Sequence, residues 1–128
     1  MEINSNIKIL VVDDLSTMRK IIKNILYQLG FKNIVEADDG TTALEILKKE
    51  KVDLILADWN MPKMSGIELL KIIRSNEATK EIPFIMITAE AQKEHILEAI
   101  KYRVNQYIVK PFTPETLKEK LKKVLGKL

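Results

Sequence analysis

At 128 residues, 46% hydrophobic and 30% charged with no cysteine, the chain has the length and composition of one compact soluble domain, expected to span residues 1–128 without an effector domain. Thiol catalysis and zinc–thiolate sites are excluded, no apolar run approaches the ~20 residues of a membrane span, and the opening MEINSN lacks a signal-peptide layout, so a cytoplasmic protein is expected. The formal charge of +3 is uneven: residues 101–128 hold 8 Lys/Arg against 2 Glu and residues 1–100 hold 13 against 16, which gives +6 and −3.

In chain order, short β-like runs alternate with helical stripes. Runs at 7–12, 34–37, 52–57, 82–87 and 107–109 are near-continuously apolar, the pattern of strands covered on both faces. After the first, Met18, Ile21, Ile22, Ile25, Leu26 and Leu29 keep a 3-4 spacing that stops at Gly30, a natural left-handed cap. Ala43, Leu44 and Leu47 mark a second helix. Ser65-Gly66-Ile67-Glu68 is a capping-box pattern opening a third, which carries Leu69, Leu70 and Ile73. Ile96, Leu97 and Ile100 suggest a fourth. The fifth starts at Thr113-Pro114, an N-cap followed by proline, and is expected to bury Leu117, Leu121, Val124 and Leu125. Its lysines read as a solvated face rather than a nucleic-acid surface, because no aromatic residue is interleaved with Lys118, Lys120, Lys122, Lys123 and Lys127.

Five strands alternating with five helices predict an α/β doubly wound parallel sheet, at this size with the flavodoxin-like order 2-1-3-4-5. Ligands of such sheets sit outside the carboxyl ends of the strands where the order reverses, here between strands 1 and 3. Strand 1 ends in Asp13-Asp14, strand 3 in Asp58, strand 4 in Thr88 and strand 5 in Lys110. Three carboxylates at one edge repel unless a cation joins them, and an all-oxygen set points to Mg²⁺ or Mn²⁺, with the main-chain carbonyl of Asn60 a further ligand. Lys110 and Thr88 supply the charge and hydroxyl that a phosphoryl group on such a metal needs.

Three rival phosphate chemistries fit less well. The G-x-x-x-x-G-K-[ST] loop of a GTPase is missing, Asp13-Asp14 would repel the phosphate of FMN, and Asp58-Trp59-Asn60 puts a neutral amide where an aspartyl phosphatase could use a second carboxylate as acid. What remains is an aspartate that accepts a phosphoryl group and keeps it for a while. Trp59 is expected beside the site, Met61, Met64 and Met86 are expected to pack, with Met61 and Met64 near the site, and His95 reads as a plain surface residue.

From about Asn6 onward the sequence resembles response-regulator receiver domains, most closely the single-domain receivers of chemotaxis. The resemblance rests on Val11-Val12-Asp13-Asp14, Ser16-Thr17-Met18-Arg19, Asp58-Trp59-Asn60-Met61-Pro62, Ser65-Gly66, Ile87-Thr88-Ala89-Glu90-Ala91 and Tyr107-Ile108-Val109-Lys110-Pro111-Phe112. It implies that Asp58 takes a phosphoryl group from a phosphohistidine on a sensor histidine kinase of the CheA type. Asp14 and Asp58 would ligate Mg²⁺ with the Asn60 carbonyl, and Asp13 would act partly through water. Thr88 and Lys110 would bind phosphoryl oxygens, Tyr107 would turn inward as Thr88 moves, and Lys110-Pro111 would be cis. Asn60 and Glu90, two residues past Asp58 and Thr88, would shape water access and the rate of dephosphorylation.

The same resemblance implies a monomer that catalyses only its own phosphorylation and dephosphorylation. Its face of helix 4, strand 5 and helix 5 would bind a flagellar motor switch protein, and a dedicated phosphatase is a further candidate partner. The alternatives are a phosphorelay shuttle to a histidine phosphotransfer protein and a Mg²⁺-dependent phosphatase. Neither nucleic acid nor membrane is an expected partner. Tyr102-Arg103 departs from the family, whose chemotaxis members usually read Ala-Gly; Arg103 must adopt a left-handed turn or reshape it.

Overall fold

The computed structural model describes residues 6–126. The elements are β1 (Lys8–Val12), α1 (Ser16–Gln28), β2 (Asn33–Ala37), α2 (Gly40–Lys49), β3 (Leu54–Ala57), α3 (Gly66–Ser75), β4 (Phe84–Thr88), α4 (Lys93–Lys101), β5 (Gln106–Val109) and α5 (Pro114–Leu125). All strand pairs are parallel and the order is β2-β1-β3-β4-β5, so the doubly wound sheet is as expected. No helix among the described residues is long and apolar enough to cross a membrane.

The pleat sorts the core into two layers. Ile9, Val11, Leu54, Leu56, Ile85 and Ile87 point to one face and pack with Ile22, Ile25 and Leu26 of α1 and Leu117 and Leu121 of α5. Leu10, Val12, Ile55, Ala57, Phe84 and Met86 point to the other and pack with Leu69, Leu70 and Ile73 of α3 and Ala99 of α4. Continuous apolar runs are therefore required only in β1, β3 and β4, which are buried almost throughout. The edge strands differ from expectation: Asn33 and Glu36 of β2 and Val109 of β5 are exposed, because an edge strand has fewer neighbours to cover it. Helix α5 is also less buried than its stripe suggests, with Val124 and Leu125 only half-buried at the margin of the same core layer as Leu117 and Leu121.

Local chemistry starts α3 and α5 where the sequence indicates. Ser65 accepts from the Glu68 N–H while the Glu68 carboxylate accepts from the Ser65 N–H, the capping box read from the sequence. Thr113 caps α5, with Pro114 at its first position. Helix α2 starts from a cap not singled out in the sequence: the buried Asp39 accepts from the Thr41 and Thr42 N–H groups, and the Thr41 hydroxyl beside it holds its carboxyl below the usual range.

Helices α1 and α4 end in the same motif. Gly30 (φ 101°) donates to the Tyr27 carbonyl and Phe31 to that of Leu26; Arg103 (φ 64°) donates to the Ile100 carbonyl and Val104 to that of Ala99. Arg103 thus adopts the left-handed turn instead of reshaping it. The Arg74 guanidinium braces this turn, donating to the carbonyls of Arg103, Lys80 and Ile82 and to Asn105 Oδ1. Asn105 in turn accepts from the Phe84 N–H and donates its own to the Phe84 carbonyl, which fixes β5 beside β4.

Candidate functional site

Main-chain bonding holds the strand ends in line past the last paired residues. Asp13 N–H donates to the Ala37 carbonyl, Asp58 N–H to that of Val12 and Lys110 N–H to that of Thr88, at 3.1, 3.0 and 2.8 Å. Val12 pairs with Ala57 and Thr88 with Val109, so Asp13, Asp58 and Lys110 each begin one residue past the sheet, Asp13 and Asp58 at the topological switch point and Lys110 at the carboxyl end of the edge strand β5.

Asp13, Asp14 and Asp58 converge there, each with a carboxylate oxygen within 4.8 Å of the others. Asp13 and Asp58 are buried and Asp14 faces solvent. Lys110 Nζ donates to Asp13 Oδ2 at 2.9 Å and Asp58 Oδ2 at 3.2 Å. Burial opposes the lysine's charge, but the two carboxylates outweigh it and hold its pKa above the ordinary value. The remaining oxygens of both acids are oriented by main-chain donors: Leu15 N–H to Asp13 Oδ1 at 3.0 Å, and Trp59 N–H to Asp58 Oδ1 at 2.6 Å. Arg19 braces Asp13 from behind, donating to its carbonyl and to Glu36.

One lysine against three carboxylates leaves negative charge at the edge of a cleft of about 460 Å³ lined by Asp14, Trp59, Asn60, Met61, Pro62 and Ser65. An anionic, all-oxygen donor set with one member open to solvent fits a hard divalent cation of the Mg²⁺ kind. Close backbone approach shapes this cleft. A Cβ on Gly66 would lie 2.0 Å from the Asp58 carbonyl oxygen, so only glycine fits where α3 meets the end of β3, and its N–H donates to the Trp59 carbonyl at 2.8 Å.

The other expected site residues meet at Glu90 rather than at the carboxylates. Its carboxylate accepts from Asn60 Nδ2 at 2.6 Å, its N–H donates to the Thr88 hydroxyl oxygen at 3.2 Å, and its carbonyl accepts from the Tyr107 hydroxyl at 2.6 Å. Burial, with Glu90 and Asp58 nearby, pushes the Tyr107 phenol up to about 12. Trp59 is both beside the site and in the core, with 8% of its surface exposed. Met86 is fully buried and Met61 and Met64 pack partly buried against the same layer. The Lys110-Pro111 bond is cis.

His95 departs from its expected surface role. It lies half-buried with its ring edge-on to Trp59, centroids 4.8 Å apart, and Nδ1 3.4 Å from Glu90 Oε2. A histidine on the exposed first turn of α4 carries no sign in the sequence that the β3 and β4 loops fold against it. Gly66 was likewise legible only as part of a cap, and Arg19 only as part of a motif.

An acidic trio countered by a lysine at the carboxyl edge of a 2-1-3-4-5 sheet defines a class of signalling domain, and the chain belongs to the response regulator receiver domain family, whose model matches residues 9–122. Among individual proteins it is 60% identical to the chemotaxis protein CheY-3 of Vibrio cholerae, over 98% of this chain and 97% of that one. It is 54% identical to the chemotaxis protein CheY of Pseudomonas aeruginosa, over 94% and 98%. Its fold superposes with a TM-score of 0.85 on the receiver domain of a Pseudomonas aeruginosa sensor histidine kinase, 27% identical over 95% of this chain and 99% of that one, which has a magnesium ion coordinated in its active site cleft.

Proposed function

We propose that this protein is a cytoplasmic, stand-alone chemotaxis response regulator of the CheY type, switched by phosphorylation of Asp58. One observation carries the reading: Asp58 shares Lys110 with Asp13 inside a three-carboxylate cluster at the sheet's switch point. Similarity to chemotaxis regulators over nearly their full lengths supports the chemotaxis assignment.

In this reading Asp58 attacks the phosphorus of a kinase phosphohistidine. The Asp58 O–P bond forms as the histidine N–P bond breaks, and the freed imidazole takes a proton from solvent. Asp14 and Asp58 with the Asn60 carbonyl, and Asp13 through water, would hold Mg²⁺, which when bound offsets the phosphoryl charge among the carboxylates. Lys110 exchanges part of its bonding from Asp58 to a phosphoryl oxygen. The Thr88 hydroxyl accepts from Glu90 N–H, so its own proton is free to donate to the phosphoryl group. Moving Thr88 pulls on Glu90, whose carbonyl tethers Tyr107, and so reshapes the α4–β5–α5 face that a flagellar motor switch protein would read.

Intact-mass spectrometry after treatment with acetyl phosphate tests the assignment. Wild type with Mg²⁺ gains one phosphoryl group; Asp58→Asn, or wild type with the metal removed, gains none. Equal modification of Asp58→Asn refutes the phosphoacceptor. Rapid back-transfer to a histidine phosphotransfer protein, with no affinity for a switch protein, would instead mark a relay shuttle.

A further inference from the structure

Among the described residues, the one buried side-chain polar atom without a hydrogen-bond partner is His95 Nδ1. Buried polar atoms are nearly always satisfied, so an exception calls for a physical account. This nitrogen faces Glu90 Oε2 at 3.4 Å, close enough for a small ring rotation to complete a bond, while the ring edge rests on Trp59. Glu90's other oxygen is held by Asn60 at 2.6 Å. The carboxylate is thus bonded to Asn60 on one side and approached by the unpartnered His95 nitrogen on the other, and the Asn60–Glu90 bridge ties together the two loops that follow β3 and β4, one carrying Asp58's neighbours and the other Thr88's.

We infer that His95 is a positioning residue that fixes the Glu90 carboxylate in its bridge to Asn60 and thereby limits the access of water to phosphorylated Asp58. The inference rests on the phosphorylation of Asp58 proposed above. In the decay step a water oxygen bonds to phosphorus as the Asp58 O–P bond breaks. Asp58 leaves as a carboxylate and both water protons depart on the phosphate. His95 touches none of these atoms; it acts by keeping the bridge closed across the mouth of the site. An untethered Glu90, already partly exposed, swings to solvent and opens that mouth.

The test is the decay of acetyl-phosphate-labelled protein, followed by intact mass in the presence of Mg²⁺. His95→Phe keeps the ring on Trp59 but lacks the nitrogen, and decay should quicken about threefold or more; His95→Gln restores a donor and should stay within about 1.5-fold of wild type. In a Glu90→Ala background His95→Phe should have no further effect, since its influence runs through that carboxylate. Unchanged or slower decay in His95→Phe, equal acceleration in His95→Gln, or an acceleration that persists without Glu90 overturns the inference while leaving the phosphoacceptor intact. Failure of wild type to take up a phosphoryl group overturns both.

Discussion

Lys110 shows how a single side chain sets the state of the site. With 13% of its side chain exposed, it is the only cation bonded to the side-chain carboxylates of Asp13 and Asp58 among the described residues, and both acids are buried. Replacing it by methionine leaves those charges uncompensated, at a cost of about 2–4 kcal/mol discounted for the partial exposure. Urea unfolding without metal should show that loss, and adding Mg²⁺ should stabilise Lys110→Met more than wild type. Equal responses to Mg²⁺ would mean that the lysine and the metal do not compensate the same charge. Tyr107 offers a second probe, because its phenol ionises at about 12 instead of 10. Above pH 10 the unfolded chain has lost this proton while the folded one keeps it, so the phenol's contribution to stability falls from about pH 10 and levels off near 12. An ultraviolet titration of wild type minus Tyr107→Phe should place the step near 12; a step near 10 would show that burial and the neighbouring acids do not reach the hydroxyl.

At the scale of elements, the paired endings of α1 and α4 form an internal control. Both use the same two hydrogen bonds, yet one has glycine at the positive φ and the other Arg103. The side chain adds roughly 1 kcal/mol of steric cost there, and the bonds from Arg74 go to the Arg103 carbonyl, which any residue supplies. Arg103→Gly should therefore stabilise the fold by about 0.5–1 kcal/mol after the flexibility of glycine in the unfolded chain is counted. Thermal unfolding should show a Tm higher by roughly 2–4 °C. A lower Tm would mean that the weak bond from Arg103 Nη2 to the Arg74 carbonyl, at 3.4 Å, matters more than the strain.

At the scale of the whole molecule, the switch proposed for Asp58 would be read on a surface at another edge of the sheet. Leu97 and Ile100 of α4 and Val109 of β5 are exposed apolar groups, and Lys118 and Lys122 of α5 are exposed cations. An acidic amphipathic switch-protein peptide suits that mixture better than nucleic acid does. A labelled peptide of this kind should bind the beryllofluoride-activated form roughly 5–150-fold more tightly than the unmodified one, the range of 1–3 kcal/mol in coupling. Raising the salt should weaken both interactions, and Tyr107→Ala should remove most of the difference between the forms. Equal affinity in the two forms, or a preference for DNA, would rule out this readout.

Much of this was legible in the sequence. The runs of β1, β3 and β4, the Ser65 and Thr113 caps, and the placing of Asp13, Asp14, Asp58, Thr88 and Lys110 at strand ends follow from periodicity and local chemistry, because sheet topology converts a strand's last residue into a position at one edge. Motif resemblance added roles for Asn60, Glu90 and Tyr107. What tertiary structure alone decided are contacts that depend on how one loop or helix end folds back on another. Gly66 is required by a carbonyl eight residues away, Arg19 by the backbone beneath Asp13, and His95 by a tryptophan and a glutamate from two other loops. Edge exposure of β2 and β5 was equally hidden, since an apolar run does not state how many neighbours its strand will have. Period and capping are properties of a segment and its own backbone, whereas these contacts depend on which segments the sheet brings side by side.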